Sequence, residues 1–84
     1  MYSEDGNGEF TMKNYNVKIG AYLAKERRAK KITQAQLADR LGVTKAAVSN
    51  WERGKRTIYA DQMLEYCDQL GIDPQELIKS VTGE

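Results

Sequence analysis

The chain has no histidine, a single cysteine and a single proline among its 84 residues. Without histidine it lacks the commonest general base and the commonest metal ligand. Cys67 has no second cysteine to pair with, which excludes an intrachain disulfide and a cysteine-based zinc site. No apolar run approaches the ~20 residues that a membrane span requires. The N-terminus is acidic and polar, unlike a secretory signal with its basic start and apolar stretch. A nucleophile–base pair, a glycine-rich phosphate loop and a ligand cluster are likewise missing from the sequence. These absences lead us to expect a cytoplasmic, non-enzymatic protein with no metal, no cofactor and no evident small-molecule ligand. A chain this short without staples relies on its apolar core, which favours compact helices.

Charge is what the sequence has in abundance, and it is unevenly spread. The formal net charge is only +1. Residues 1–12 carry three acids and no base, net −3, whereas residues 13–56 carry twelve bases against three acids, net +9. Residues 57–84 carry Lys79 against six acids, net −5. A basic stretch beside an acidic one suits a polyanion partner on one side of the molecule.

Residues 1–12, MYSEDGNGEFTM, show no periodicity and read as a disordered leader to a domain spanning 13–84. Glu9-Phe10 is what a common cloning site encodes, and Met12 offers an alternative start, which leaves the origin of the leader open. From Lys13 onward the pattern is helical and contains no strand candidate. Ile19, Leu23 and Ala24 share a face with Arg27 one turn later, predicting a first helix from about Val17 to Lys30. Gly20 within it costs roughly 1 kcal/mol relative to alanine and suggests close approach by a neighbouring element.

Thr33 with Gln36 three residues later forms a capping-box pattern for a second helix, Gln34 to Leu41, with Leu37, Ala38 and Leu41 inward. Gly42 suits the left-handed C-terminal position and Thr44 is the next N-cap. A third helix, Lys45 to about Arg53, turns Ala47 (or Ala46), Val48 and Trp51 inward. A fourth, about Asp61 to Leu70, is expected to bury Met63, Leu64, Cys67 and Leu70. Asp73-Pro74 opens a fifth, to about Ser80, as an N-cap followed by proline at the first helical position.

The stretch TQAQLADRLGVTKAAVSNWERG joins two short helices through Leu41-Gly42-Val43-Thr44. Small Ala38 and Ala47 stand where the helices would cross, and Val48 packs the second against the first. Those are the requirements of a helix-turn-helix, whose second helix must be propped so that its outer face can enter a major groove about 12 Å wide. Residues 17–81 resemble the lambda-repressor/Cro family of XRE-type helix-turn-helix regulators. The resemblance rests on Ile19, Leu23 and Arg27, on Thr33-Gln34 with Leu37-Ala38, on Gly42-Val43-Thr44, on Val48-Ser49 with Trp51-Glu52-Arg53-Gly54, and on Leu70-Gly71-Ile72 with Leu77. The family often has a proline near Tyr59 and a Ser or Thr cap near Ala60, and neither is present here. That departure leaves the start of the fourth helix without its usual signal.

The resemblance implies an all-α, five-helix lambda-repressor-like domain that binds a double-stranded DNA operator, as a bacterial or phage transcriptional regulator, most simply a repressor. It implies base contacts by Lys45, Ala46, Ser49 and Asn50. Lysine can donate to guanine, asparagine can bridge N6 and N7 of adenine, and the alanine methyl can meet a thymine methyl. Phosphate contacts are expected from Gln34 and Thr44 and from Arg53, Lys55, Arg56 and Thr57 in the loop that follows, with Lys30 and Lys31 as weaker candidates. The family also implies a structural Arg27–Glu52 ion pair, so Arg27 is not counted as a DNA contact. Trp51 and Cys67 read as core residues rather than a stacking platform or a redox site.

One module reads few base pairs, so a homodimer on a two-fold operator is expected. Its interface is expected in the acidic C-terminal part, at Tyr66, Leu77, Ile78 and Val81, with Tyr59 as a further candidate. The stretch Arg53-Gly54-Lys55-Arg56-Thr57-Ile58 is also similar to one found in restriction–modification controller proteins of the same family. The competing class is a protein-interaction module, such as an antitoxin, that uses the same fold to grip a partner protein.

Overall fold

The computed structural model describes residues 7–83, with side chains from Tyr15 onward. Five helices follow one another: α1 (Asn7–Ala29), α2 (Gln34–Leu41), α3 (Lys45–Glu52), α4 (Ala60–Leu70) and α5 (Pro74–Thr82). Helix α1 is the spine against which α3, α4 and α5 all pack, and α2 fills the remaining side between α3 and α4.

The ends of the short helices follow from local chemistry. Thr33 Oγ1 accepts from the Gln36 N–H at 3.0 Å, and Gln36 Oε1 accepts from the Thr33 N–H at 2.9 Å, so the capping box before α2 is formed as expected. Thr44 Oγ1 accepts from the Ala47 N–H at 3.1 Å at the start of α3. Asp73 Oδ1 accepts from the Gln75 N–H at 2.9 Å at the start of α5. Such caps contribute about 1 kcal/mol each. Gly42 closes α2 in the left-handed region, φ 71°, which lets the Val43 N–H reach back to the Ala38 carbonyl at 3.0 Å. Helix α4 starts at Tyr59 without a side-chain cap; the Gln62 side chain instead turns back to accept from the Tyr59 N–H at 3.1 Å.

Leu23, Leu37, Ala38, Ala47, Val48, Trp51, Ile58, Tyr66, Cys67, Leu70, Leu77 and Val81 form one buried cluster drawn from all five helices and, through Ile58, from the loop before α4. Fully burying a side chain such as Leu23, Leu37 or Leu77 contributes about 1.5–3 kcal/mol. Gly20 sits where α1 crosses the end of α3, as its position in the sequence suggested. A Cβ at Gly20 would lie 2.3 Å from the Trp51 carbonyl oxygen and 2.7 Å from that of Glu52.

Two expectations, the start of α1 and the burial of Leu64, are corrected. Helix α1 begins at Asn7 rather than near Val17. The disordered leader was expected over 1–12; residues 1–6 lie outside the described residues, and from Asn7 the backbone is helical. An α-helix needs only its own i→i−4 hydrogen bonds to extend once nucleated, and no proline interrupts Asn7 to Val17. Leu64, expected inside, is 49% exposed, and Tyr66 takes the buried place instead. The inward stripe of α4 runs through Met63, Tyr66, Cys67 and Leu70, and Leu64 falls beside it. The turn after α1 uses Lys31 in the left-handed region, φ 58°, where glycine is the usual occupant.

Candidate nucleic-acid interface

Helices α2 and α3 meet through Leu37, Ala38, Ala47 and Val48, all buried. The small side chains at 38 and 47 permit close approach, and the Gly42 turn fixes the angle between the two helices. Helix α3 is thereby split lengthwise. Ala47, Val48, Trp51 and Glu52 face the protein, whereas Lys45 and Ala46 are exposed and Ser49 and Asn50 half-buried along the opposite edge. The four expected base-contact residues, at i, i+1, i+4 and i+5, therefore share one outward strip. Asn50 Oδ1 accepts from Arg53 Nη2 at 3.2 Å, which leaves the Asn50 Nδ2 hydrogens to donate outward.

The expected phosphate contacts ring this strip. Thr44, Arg53, Lys55, Arg56 and Thr57 are all exposed. The loop that carries the last four is held at both ends. The Lys55 and Arg56 N–H groups donate to the Asn50 carbonyl at 2.9 and 3.3 Å, so the loop folds back over the end of α3. Asn16 on α1 donates from Nδ2 to Thr57 Oγ1 at 3.2 Å. Gly54, φ 72°, lies so close to α1 that a Cβ there would be 2.8 Å from the Val17 Cα. Asn16 is a residue that sequence reasoning missed, and its only signal was a polar side chain beside the apolar face of α1.

Gln34, the first residue of α2, is half-buried and turned toward the protein as well as outward. Its Nε2 donates to Glu52 Oε1 at 2.9 Å. Glu52 is the hub of the molecule. Arg27 donates to it through Nε (2.8 Å) and Nη2 (3.0 Å), forming the expected ion pair as a bidentate one. Arg27 Nη1 also holds the Ile32 carbonyl at 2.7 Å, which pins the turn between α1 and α2. The Tyr66 hydroxyl, from α4, donates to Glu52 Oε2. Arg27 and Glu52 are each 7% exposed, so the two charges cancel inside the protein and the Arg27 guanidinium is turned into the interior.

Burial pushes the Glu52 carboxyl up, but the hydrogen bonds from Arg27, Tyr66 and Gln34 outweigh it and hold the group below its ordinary value. Burial, followed by the adjacent Glu52 carboxylate, pushes the Tyr66 phenol far above its ordinary range, so it stays a proton donor. Burial likewise raises the Cys67 thiol, which keeps it an inert core residue. Trp51 is core, as expected, and its Nε1 is buried with no hydrogen-bond partner among the described residues.

The expected dimer residues fare differently. Tyr66 and Leu77 are fully buried and Val81 is 8% exposed, so all three belong to the monomer's own core. Leu77 and Val81 lie one turn apart and both face α1 and α4, which leaves Ile78 alone outside at 47% exposed. Tyr59 and Leu64 are the other large exposed apolar side chains in the C-terminal half.

Two short helices joined by a glycine turn, the second turned outward and flanked by a basic loop, define a helix-turn-helix protein of the lambda-repressor-like fold. A helix-turn-helix family model matches residues 23–77. The chain belongs to that family, of XRE type, whose members are DNA-binding transcriptional regulators. No curated protein matches the sequence. Among solved structures, the clp gene regulator ClgR from Corynebacterium glutamicum is similar at 25% identity and a TM-score of 0.78. That similarity covers 82% of this chain and 73% of that one. The restriction-modification controller protein C.AhdI from Aeromonas hydrophila is 36% identical, with a TM-score of 0.69, over 73% of this chain and 92% of that one. No described helix is long and apolar enough to cross a membrane.

Proposed function

We propose that this protein is a sequence-specific DNA-binding repressor of bacterial or phage type that acts by occupying an operator as a homodimer. The observation that carries the reading is the lengthwise split of α3. Its inner residues are locked into the core, so Lys45, Ala46, Ser49 and Asn50 stand on a rigid edge. An edge of this kind fits the major groove and reads bases without reorganising. Gln34, Thr44 and the loop Arg53–Thr57 grip phosphates on either side and set the register. The net +9 of residues 13–56 supports this surface as the one that meets a polyanion, while the acidic 57–84 segment is repelled from it.

One copy contacts few base pairs, so two copies on half-sites about one helical turn apart supply the specificity. Ile78 remains the candidate at the dimer contact, joined by Leu64 and Tyr59, whose exposure leaves them free for it. Within this reading, a restriction–modification controller is supported by the 36% identity to C.AhdI and by the run Arg53-Gly54-Lys55-Arg56-Thr57-Ile58.

A mobility-shift titration against random duplex, followed by selection of bound sequences, tests the reading. If about six phosphates are neutralised per dimer, log affinity falls with log salt at a slope of roughly −5. Selected sites should be two-fold symmetric. Unshifted DNA at micromolar protein in low salt would instead favour the protein-interaction class.

A further inference from the structure

Glu52 accepts four donors, and a carboxylate offers about four lone-pair sites. Oε1 takes Arg27 Nη2 and Gln34 Nε2, and Oε2 takes Arg27 Nε and the Tyr66 hydroxyl. The carboxylate is saturated and cannot turn without breaking a bond to α1, α2 or α4. Gln34, which opens α2, borrows its orientation from that carboxylate. With one Nε2 hydrogen committed to Glu52, its second amide hydrogen and its Oε1 have fixed directions. Beside it, the backbone N–H groups that begin α2 have no acceptor within the helix.

We propose that Tyr66 is a positioning residue for DNA binding: by filling Oε2 of Glu52 it reserves Oε1 for Gln34, and so aims the Gln34 side chain at a phosphate. The proposal rests on the DNA-binding reading above. Tyr66 touches no nucleic acid, being fully buried in α4. Its effect passes through one carboxylate to the first residue of α2. The consequence is that packing of the acidic C-terminal helices is coupled to a contact on the opposite, basic side. Without the hydroxyl, Arg27 still grips both carboxylate oxygens, but Oε2 keeps an open lone pair that competes with Oε1 for the Gln34 amide, and Gln34 loses its single direction. The Tyr66 ring still fills the core, so the fold is retained.

The test is a double-mutant cycle with Tyr66→Phe and Gln34→Ala, read as affinity for a random DNA duplex at low salt. Nuclear magnetic resonance of the Gln34 side-chain amide in the free protein accompanies it. Tyr66→Phe should weaken binding by about fivefold in the Gln34 protein, the scale of one hydrogen bond, and should have no further effect once Gln34 is alanine. The Gln34 amide protons, shifted by the carboxylate in the parent, should move to ordinary solvent-exposed positions in Tyr66→Phe. Equal losses in both backgrounds would mean that Tyr66 acts through stability alone, and would overturn the proposal. An unmoved Gln34 amide would overturn it as well, whether or not DNA binds. A parent protein that shifts no DNA overturns the functional reading and this proposal together, and the amide signal then reports separately whether Tyr66 orients Gln34.

Discussion

Replacing Gly20 with alanine sets two physical effects against each other. Helix propensity alone favours the change, because glycine inside a helix costs about 1 kcal/mol relative to alanine. The tertiary structure opposes it. The new methyl carbon would lie 2.3 Å from the Trp51 carbonyl oxygen, 2.7 Å from the Glu52 carbonyl oxygen and 2.9 Å from the Glu52 carbonyl carbon. All three are backbone atoms, so no side chain can swing away. Relief requires α1 and α3 to separate by ~1 Å, and overpacking of a dense interior costs about 1–3 kcal/mol. The same separation strains the Arg27–Glu52 pair, which spans those two helices and is sensitive to geometry once buried. Combining the terms, Gly20→Ala should destabilise the protein by about 2 kcal/mol, lowering Tm by roughly 8–16 °C for a domain of this size. Thermal and urea denaturation followed by circular dichroism measures it. An unchanged or raised Tm would show that propensity prevails and that the close approach of α1 to α3 is not as described.

Asn50→Ala should reduce discrimination at one base pair by about 1–3 kcal/mol while random-duplex affinity persists; equal loss on both would remove Asn50 as a reader. Glu52 is held below its ordinary carboxylate pKa, so its contribution is fully present above the unfolded value of about 4.3 and disappears as pH falls through the lower folded value. Acid titration of stability should therefore show a steep limb below pH ~4.3, which Glu52→Gln flattens, and a parent profile without that limb would contradict the assignment. Glu52→Ala strands the Arg27 charge and should cost about 3–5 kcal/mol in chemical denaturation. Lys31→Gly relieves a left-handed residue and should raise stability by about 1 kcal/mol, measured in urea.

Much of the local structure was legible because it depends on neighbours within one turn. Thr33 with Gln36, Thr44 before α3, Gly42 after α2 and Asp73-Pro74 before α5 each act over two to four residues, and each forms as expected. Gly20 announced a close contact because glycine is otherwise unfavourable in mid-helix. The outward strip of α3 was legible for the same reason, since helical period assigns alternate faces once the buried residues are known. Leu64 and Tyr66 were not. Leu64 follows Met63 at the edge of the inward stripe and its apolar character pointed inward, whereas the core took Tyr66, a ring with a hydroxyl that reaches Glu52.

Sequence by itself determined the caps of α2, α3 and α5, the helix-turn-helix and the segregation of charge, since these are set by propensity and by contacts within a turn. Only the tertiary structure decided what Glu52 gathers. Its partners Arg27, Gln34 and Tyr66 lie 25, 18 and 14 residues away along the chain and come from three other helices. Packing also placed Leu77 and Val81 inside and left Ile78 out, because burial depends on where α5 lands against α1 and α4 and not on apolar character alone.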